Sequence, residues 1–220
     1  VWNYGISEFY LFSVLMMKKS IKYLFIILLT GLAVCISADF FLQKGFKNSH
    51  DDVIGKLNEI INDSTYFDVV CFGSSRALAH FNPIIIEKET GLTAFNAGLN
   101  GGCFVDFNAL LKVYLESHPP PKMLVVHIDD FTFETQTISE LPRYLPYISN
   151  DILYDNLKPY DNTFIAVRYI KFLRLMYYND LLKWIAIKSL FHIEAGEQYK
   201  MTNGYRVNNS RWLPGMDAVL

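Results

Sequence analysis

The chain has 220 residues, 51% of them hydrophobic, and a formal net charge of −2. That length fits one α/β domain with a tail or anchor, and the dispersed Lys and Arg exclude a nucleic-acid surface, which needs clustered cations to neutralise phosphates. A mean hydropathy of +0.17 is high for a fully soluble protein and points to membrane-embedded length.

Residues 1–15 (VWNYGISEFYLFSVL) precede Met16-Met17-Lys18-Lys19, the kind of start expected of a bacterial signal. They read as an over-extended gene start, a genuine extra segment being the alternative, within a cytoplasmic segment 1–20. No charge interrupts residues 23–38, and residues 21–42 approach the roughly 20 residues that cross a bilayer. Lys18, Lys19 and Lys22 cluster at the start, which keeps that side in the cytoplasm and the rest of the chain outside. A buried core helix and a cleaved signal peptide are the rivals. Ile36-Ser37-Ala38 is a poor cleavage site, and in Leu32-Ala33-Val34-Cys35 a valine stands where a lipoprotein signal wants a small residue. An uncleaved signal anchor at the bacterial cytoplasmic membrane, single-pass and with its domain extracytoplasmic, is the expectation.

Residues 43–65 are mostly polar and read as a linker with a short helix near 57–61. The domain is then expected over 66–220. Residues 67–72 form a β-branched and aromatic run ending at Gly73, which predicts a buried strand. Pro83 fits the first turn of a helix through 84–88, with Gly91 as its stop. A second strand is predicted over 92–96, a helix over 106–116 and a third strand over 123–128, closed by Asp129-Asp130. Strand, helix, strand, helix, strand predicts a three-layer, doubly wound parallel sheet, whose ligand groups gather beyond the carboxyl ends of the strands. Beyond residue 131 the sheet pattern lapses into a helical insertion over about 132–195. Two aromatic helices, 164–178 and 181–193, either pack on the sheet or lie against the membrane, which Lys171, Arg174, Lys183 and Lys188 would permit. The three cysteines, Cys35, Cys71 and Cys103, fit no metal motif and read as small buried hydrophobes.

Three turns fall at the strand ends: Gly73-Ser74-Ser75-Arg76, Gly98 to Gly102, and Asp129-Asp130. A serine hydroxyl becomes a nucleophile when a base takes its proton and backbone N–H groups await the oxyanion. A strand, a Gly-x-Ser turn and a helix can supply that geometry. The simpler alternative is a turn of small residues and nothing more.

Three blocks, DVVCFGSSR (68–76), AFNAGLNGG (94–102) and LVVHIDDF (124–131), together resemble the SGNH (GDSL-like) hydrolase superfamily, and more closely its membrane-anchored members that acylate or deacylate envelope polymers. The resemblance implies a flavodoxin-like sheet, Ser75 as nucleophile with Ser74 in place of the commoner Asp, and oxyanion donors at Gly101 and the Ser75 N–H. The third block departs from the family, which carries an Asn there. An ionised Asp accepts and cannot donate, so Asn100 becomes the candidate side-chain donor. Arg76, Asp129 and Asp130 are left to orient substrate or shape the turn. The family's Asp-x-x-His is absent. None of His50, His80, His118, His127 and His192 follows an Asp at that spacing. The base and the last strands are therefore expected beyond residue 220, with residues 1–220 alone weakly active and poorly stable.

The resemblance thus implies an extracytoplasmic serine esterase or O-acyltransferase on an envelope glycan or exopolysaccharide. It would have no metal or organic cofactor, and a membrane partner would supply acyl groups. The alternative is a non-catalytic anchored relative that binds glycan or serves an assembly.

Overall fold

A computed structural model describes residues 2–51, 54–133, 137–193 and 201–206, with side chains from Met16 onward. The domain's expected end at 220 and the last residues of the helical insertion lie outside these. Helix α1 (Trp2–Lys47) is one continuous rod of 46 residues, roughly 69 Å at 1.5 Å per residue. Its segment Met16–Lys47 is long and apolar enough to cross a membrane. The apolar side chains of Ile21 to Ile36 are largely exposed. That exposure argues against a core helix, since a core helix would bury them.

The expected linker differs from what is seen. Residues 43–47 are the last turns of α1, and Ile54–Asn62 forms α2, with Ile54, Leu57, Ile60 and Ile61 buried in the core. Their spacing is the apolar stripe of an amphipathic helix. Only Leu57 to Ile61 of it was legible through the surrounding polar residues.

Three parallel strands follow: β1 (Val69–Phe72), β2 (Ala94–Asn96) and β3 (Met123–Val126), in the order β2-β1-β3. Between them lie α3 (Ser75–His80), α4 (Pro83–Thr90) and α5 (Phe104–Ser117). Asn82 caps α4 by accepting from Ile84 N at 3.0 Å, and Gly91 ends it in the left-handed region at φ 71, a start and stop of the kind read from Pro83 and Gly91. Val70 and Phe72 face a core shared with α2 and α5, while Val69 and Cys71 face Phe81, Ile86 and Leu92. The central strand is thus covered on both faces. Burial pushes the Cys71 thiol up to about 11, which suits a small packing residue and not a nucleophile.

The two sheet edges differ. On the β2 side, a hairpin of β4 (Met201–Thr202) and β5 (Tyr205–Arg206) turns at Asn203-Gly204, with φ 47 and 79. Asn203 O accepts from Asn96 N at 2.8 Å, and a Cβ at Gly204 would lie 2.0 Å from Asn96 O. Only glycine permits that approach. The Asn-Gly pair is the strongest short hairpin signal a sequence carries, and the sequence reading passed over it. On the other side, among the described residues, no strand pairs with the free edge of β3, and Met123, Leu124 and Val126 are exposed.

The helical region contains a 3-10 segment Leu141–Tyr147, α6 (Asp151–Leu157), α7 (Thr163–Tyr169), a 3-10 turn Lys171–Leu173, α8 (Arg174–Tyr177) and α9 (Asp180–Leu190). The single helix expected over 164–178 is broken at Ile170, whose φ −116 and ψ 79 are not helical. The break lets Arg174 turn toward Asp39 of α1, where Nη2 reaches Oδ2 at 2.5 Å and Nε reaches Oδ1 at 3.1 Å. Gln43 donates to Tyr178 Oη at 2.8 Å, and Phe46 packs on the same ring. The foot of α1 is therefore part of the domain core.

Candidate functional site at the strand ends

The three turns come together beyond the carboxyl end of the sheet. Leu99 N donates to Gly73 O at 2.8 Å, which joins the second turn to the first. His127 N donates to Phe72 O at 2.8 Å, and the Ser74 hydroxyl donates to Asp129 Oδ2, which joins the third turn to the first. Arg76 Nη1 lies 2.7 Å from Asp129 Oδ1. A Cβ at Gly73 would sit 2.5 Å from Ala77 Cβ and 2.8 Å from His127 Cβ. Glycine is required there because α3 and the end of β3 close on the turn from two sides.

The adjacent serines have different surroundings. Ser74 is fully buried. It caps α3 by accepting from Arg76 N at 3.3 Å while its hydroxyl proton goes to Asp129. Ser75 opens α3 and is half-exposed. Among the described residues its Oγ has no hydrogen-bond partner, and the N–H groups of Ser75 and Gly101 donate to none.

Asp129 is buried and holds the third turn. Its N–H donates to the Thr132 hydroxyl oxygen at 2.8 Å, and Thr132 N donates back to its carbonyl at 3.0 Å. Burial pushes its carboxyl up, but the Ser74 hydroxyl, the His127 ring and the Arg76 guanidinium outweigh that and hold it below the ordinary aspartate value. A carboxylate with a lowered pKa stabilises the fold above its unfolded value, and the stabilisation is lost as pH falls through the folded one. The thermal-stability difference between the native chain and Asp129→Asn is expected to be constant at neutral pH and to shrink only below about pH 4. A difference that shrinks already between pH 5 and 7 contradicts this. Asp130 is exposed and starts a 3-10 turn, Asp130–Thr132.

Asn100 is exposed, and among the described residues its carbonyl, not its side chain, is used: Arg143 Nη2 donates to Asn100 O at 3.0 Å and lies 2.7 Å from Glu140. Lys56, fully buried, donates to Gly98 O. Two cations from distant elements thus hold the second turn by its carbonyls. The sequence reading assigned a role to neither. Asn96, read as the end of the second strand and as part of the block 94–102, was given no role of its own. Buried at the end of β2, it donates from Nδ2 to Ala77 O at 2.8 Å and to Phe81 O at 2.7 Å, and accepts from Gly98 N at 2.8 Å. It ties the end of α3 to the second turn. Asn96→Ala removes the side-chain partner of Ala77 O, which keeps Phe81 N, and leaves Phe81 O and Gly98 N without theirs; it is expected to lower stability by about 1–3 kcal/mol, read from denaturant unfolding. A loss under about 0.5 kcal/mol, the usual range of a surface substitution, contradicts this role.

His127 is the histidine packed against the first turn, with Nδ1 3.4 Å from Asp129 Oδ2 and its ring edge-on to Phe81. The His80 Nδ1 lies 2.6 Å from Arg76 O on the exposed side of α3. His118 stacks on Tyr114 at 4.1 Å, at the opposite end of the sheet. A cleft of about 240 Å³ lined by Gln43, Phe46, Ile61, Tyr147 and Asn150 lies at the foot of α1, and none of the three turns lines it.

No family model, curated protein or solved structure matches the chain.

Proposed function

We propose that this chain carries the serine turn of an SGNH-type esterase or O-acyltransferase, held by one N-terminal anchor on the outer side of the cytoplasmic membrane and acting on an envelope glycan or exopolysaccharide. Ser75 Oγ attacks the acyl carbonyl, and the Ser75 and Gly101 N–H groups hold the oxyanion. The bond from the acyl carbon to the leaving oxygen breaks, and that oxygen takes up a proton. The acyl group then passes to water in hydrolysis, or to a glycan hydroxyl in transfer. A histidine takes the Ser75 proton; His127, whose Nδ1 lies 3.4 Å from Asp129 Oδ2 without a hydrogen bond to it, is the candidate among the described residues. Such chemistry draws on no metal or organic cofactor. The acyl donor is a soluble ester or a membrane acyl-transfer partner. Lys18, Lys19 and Lys22 before the apolar run support the orientation. The sheet order and the cover on both faces of β1 are compatible with the doubly wound fold of that superfamily.

One observation carries the reading. Of two adjacent serines at the convergence of three turns, Ser74 is consumed by structure, and Ser75 has its hydroxyl and N–H uncommitted among the described residues. The test is to treat the full gene product, in membranes, with a fluorophosphonate and locate the adduct by peptide mass spectrometry. An adduct on Ser75 is expected.

A second reading is favoured by the state of Asp129. Its carboxylate is engaged by Ser74 and Arg76, and no histidine nitrogen among the described residues bonds to Ser75. On that reading the anchored domain binds glycan or an assembly partner without turnover. Absence of any serine adduct, with retained glycan binding, would select it.

A further inference from the structure

We propose that the segment from Tyr169 to Tyr177, with Leu181 and Trp184 of α9, is a membrane-seated platform that rests in the headgroup region of the bilayer crossed by α1. The inference rests on the anchor reading above and adds a second, interfacial contact to it.

The argument begins with height along α1. The uncharged run covers residues 23–38, and Asp39 is the first charge after it. At 1.5 Å per residue that run spans roughly 24 Å, most of a hydrocarbon core, so Asp39 lies at the far edge of the apolar layer. Arg174 grips Asp39 with two nitrogens, and both side chains are buried. This contact fixes the break between α7 and α8 at the same height. A charge at this depth is tolerated when it is paired.

The residues flanking Arg174 then sit at the interface, and they are apolar where water would favour polar ones. Tyr169 is 76% exposed and Met176 80%, with Ile170 and Tyr177 also exposed. Leu181 and Trp184 are exposed on α9, which packs on α1 where Ala186 meets Gly45. Exposed large apolar side chains grouped in neighbouring segments mark an interaction site when they form one patch. Tyr and Trp are the residues of membrane interfaces, where a ring is half-buried and its polar edge is wet. Lys171 and Lys188 add cations for lipid phosphates, with Lys188 over the Trp184 ring at 5.3 Å. The occupant is argued to be lipid because the Arg174–Asp39 pair and the Ala186–Gly45 contact tie these elements to the one segment of the described chain whose composition already calls for lipid.

The platform would fix the domain's tilt on the anchor and hold the strand ends at a constant height above the bilayer. The experiment uses the full chain in lipid nanodiscs with Cys35→Ala; Cys71 and Cys103 are buried and stay unlabelled. Met176→Cys, Ile27→Cys and Glu89→Cys are each labelled with an NBD fluorophore, and quenching by 5-doxyl lipid is measured. Met176 and Glu89 are exposed, so their replacement leaves packing intact. Quenching at 27 and at 176, to at least half the extent at 27, with none at 89, is the expected result. Quenching at 27 but not at 176 overturns the platform while leaving the anchor, and points to a protein occupant. No quenching at 27 overturns the anchor and the platform with it.

Discussion

Ser75→Ala is expected to abolish fluorophosphonate labelling and to lower turnover of an acetyl ester by the full gene product by roughly 10⁴-fold or more, the scale seen when a serine nucleophile is removed. Ser74→Ala is expected to behave differently. It removes the hydroxyl that donates to Asp129 and the cap of α3, leaving a buried carboxylate short of a partner. That costs about 1–3 kcal/mol of stability. Activity should fall only as far as the third turn loosens, and labelling at Ser75 should persist. The pair therefore separates chemistry from scaffolding at adjacent positions. Complete loss of labelling in Ser74→Ala, with Ser75→Ala still labelled, would reassign the nucleophile. His127→Ala adds a third arm: if His127 is the base, labelling falls while the thermal midpoint barely moves, because its ring is partly exposed and its Nδ1 stands 3.4 Å from Asp129.

The strand ends were legible in the sequence because each strand is a short apolar run that stops at a glycine, an asparagine or an acid. Phe67 to Gly73 could be little else. The division of labour between Ser74 and Ser75 was not legible. It depends on which of two successive side chains turns inward, and the partner that decides it, Asp129, is 55 residues away. Lys56 shows the same limit. In sequence it sits in a polar stretch and reads as solvated; in the fold its ammonium reaches Gly98 O, 42 residues on, and is wholly enclosed. Asn96 reads as the last residue of a strand, yet three backbone groups bond to its amide. Local pattern reveals where a chain turns. It does not reveal which polar side chain goes inside to satisfy the turn, since burial of polar groups is set by distant carbonyls and N–H groups.

The break at Ile170 has the same origin, and it leads to the second large effect. Residues 164–178 keep a helical apolar period, but the chain leaves the helix at Ile170 so that Arg174 can reach Asp39. Both groups are nearly inaccessible, with side chains 6% and 9% exposed. Removing one partner of a buried pair strands the other charge and costs about 3–5 kcal/mol, whereas replacing both by apolar residues of similar volume is often neutral. Arg174→Met is therefore expected to destabilise the full chain by about that amount, read as the shift in denaturant or thermal midpoint in detergent. Asp39→Leu alone should cost a comparable amount. The double variant Asp39→Leu/Arg174→Met should recover most of the loss, giving a large coupling in a double-mutant cycle. If the two single losses simply add, the ion pair is not what joins α1 to the helical region, and the packing of Phe46 on Tyr178 and of Gly45 on Ala186 carries that joint instead.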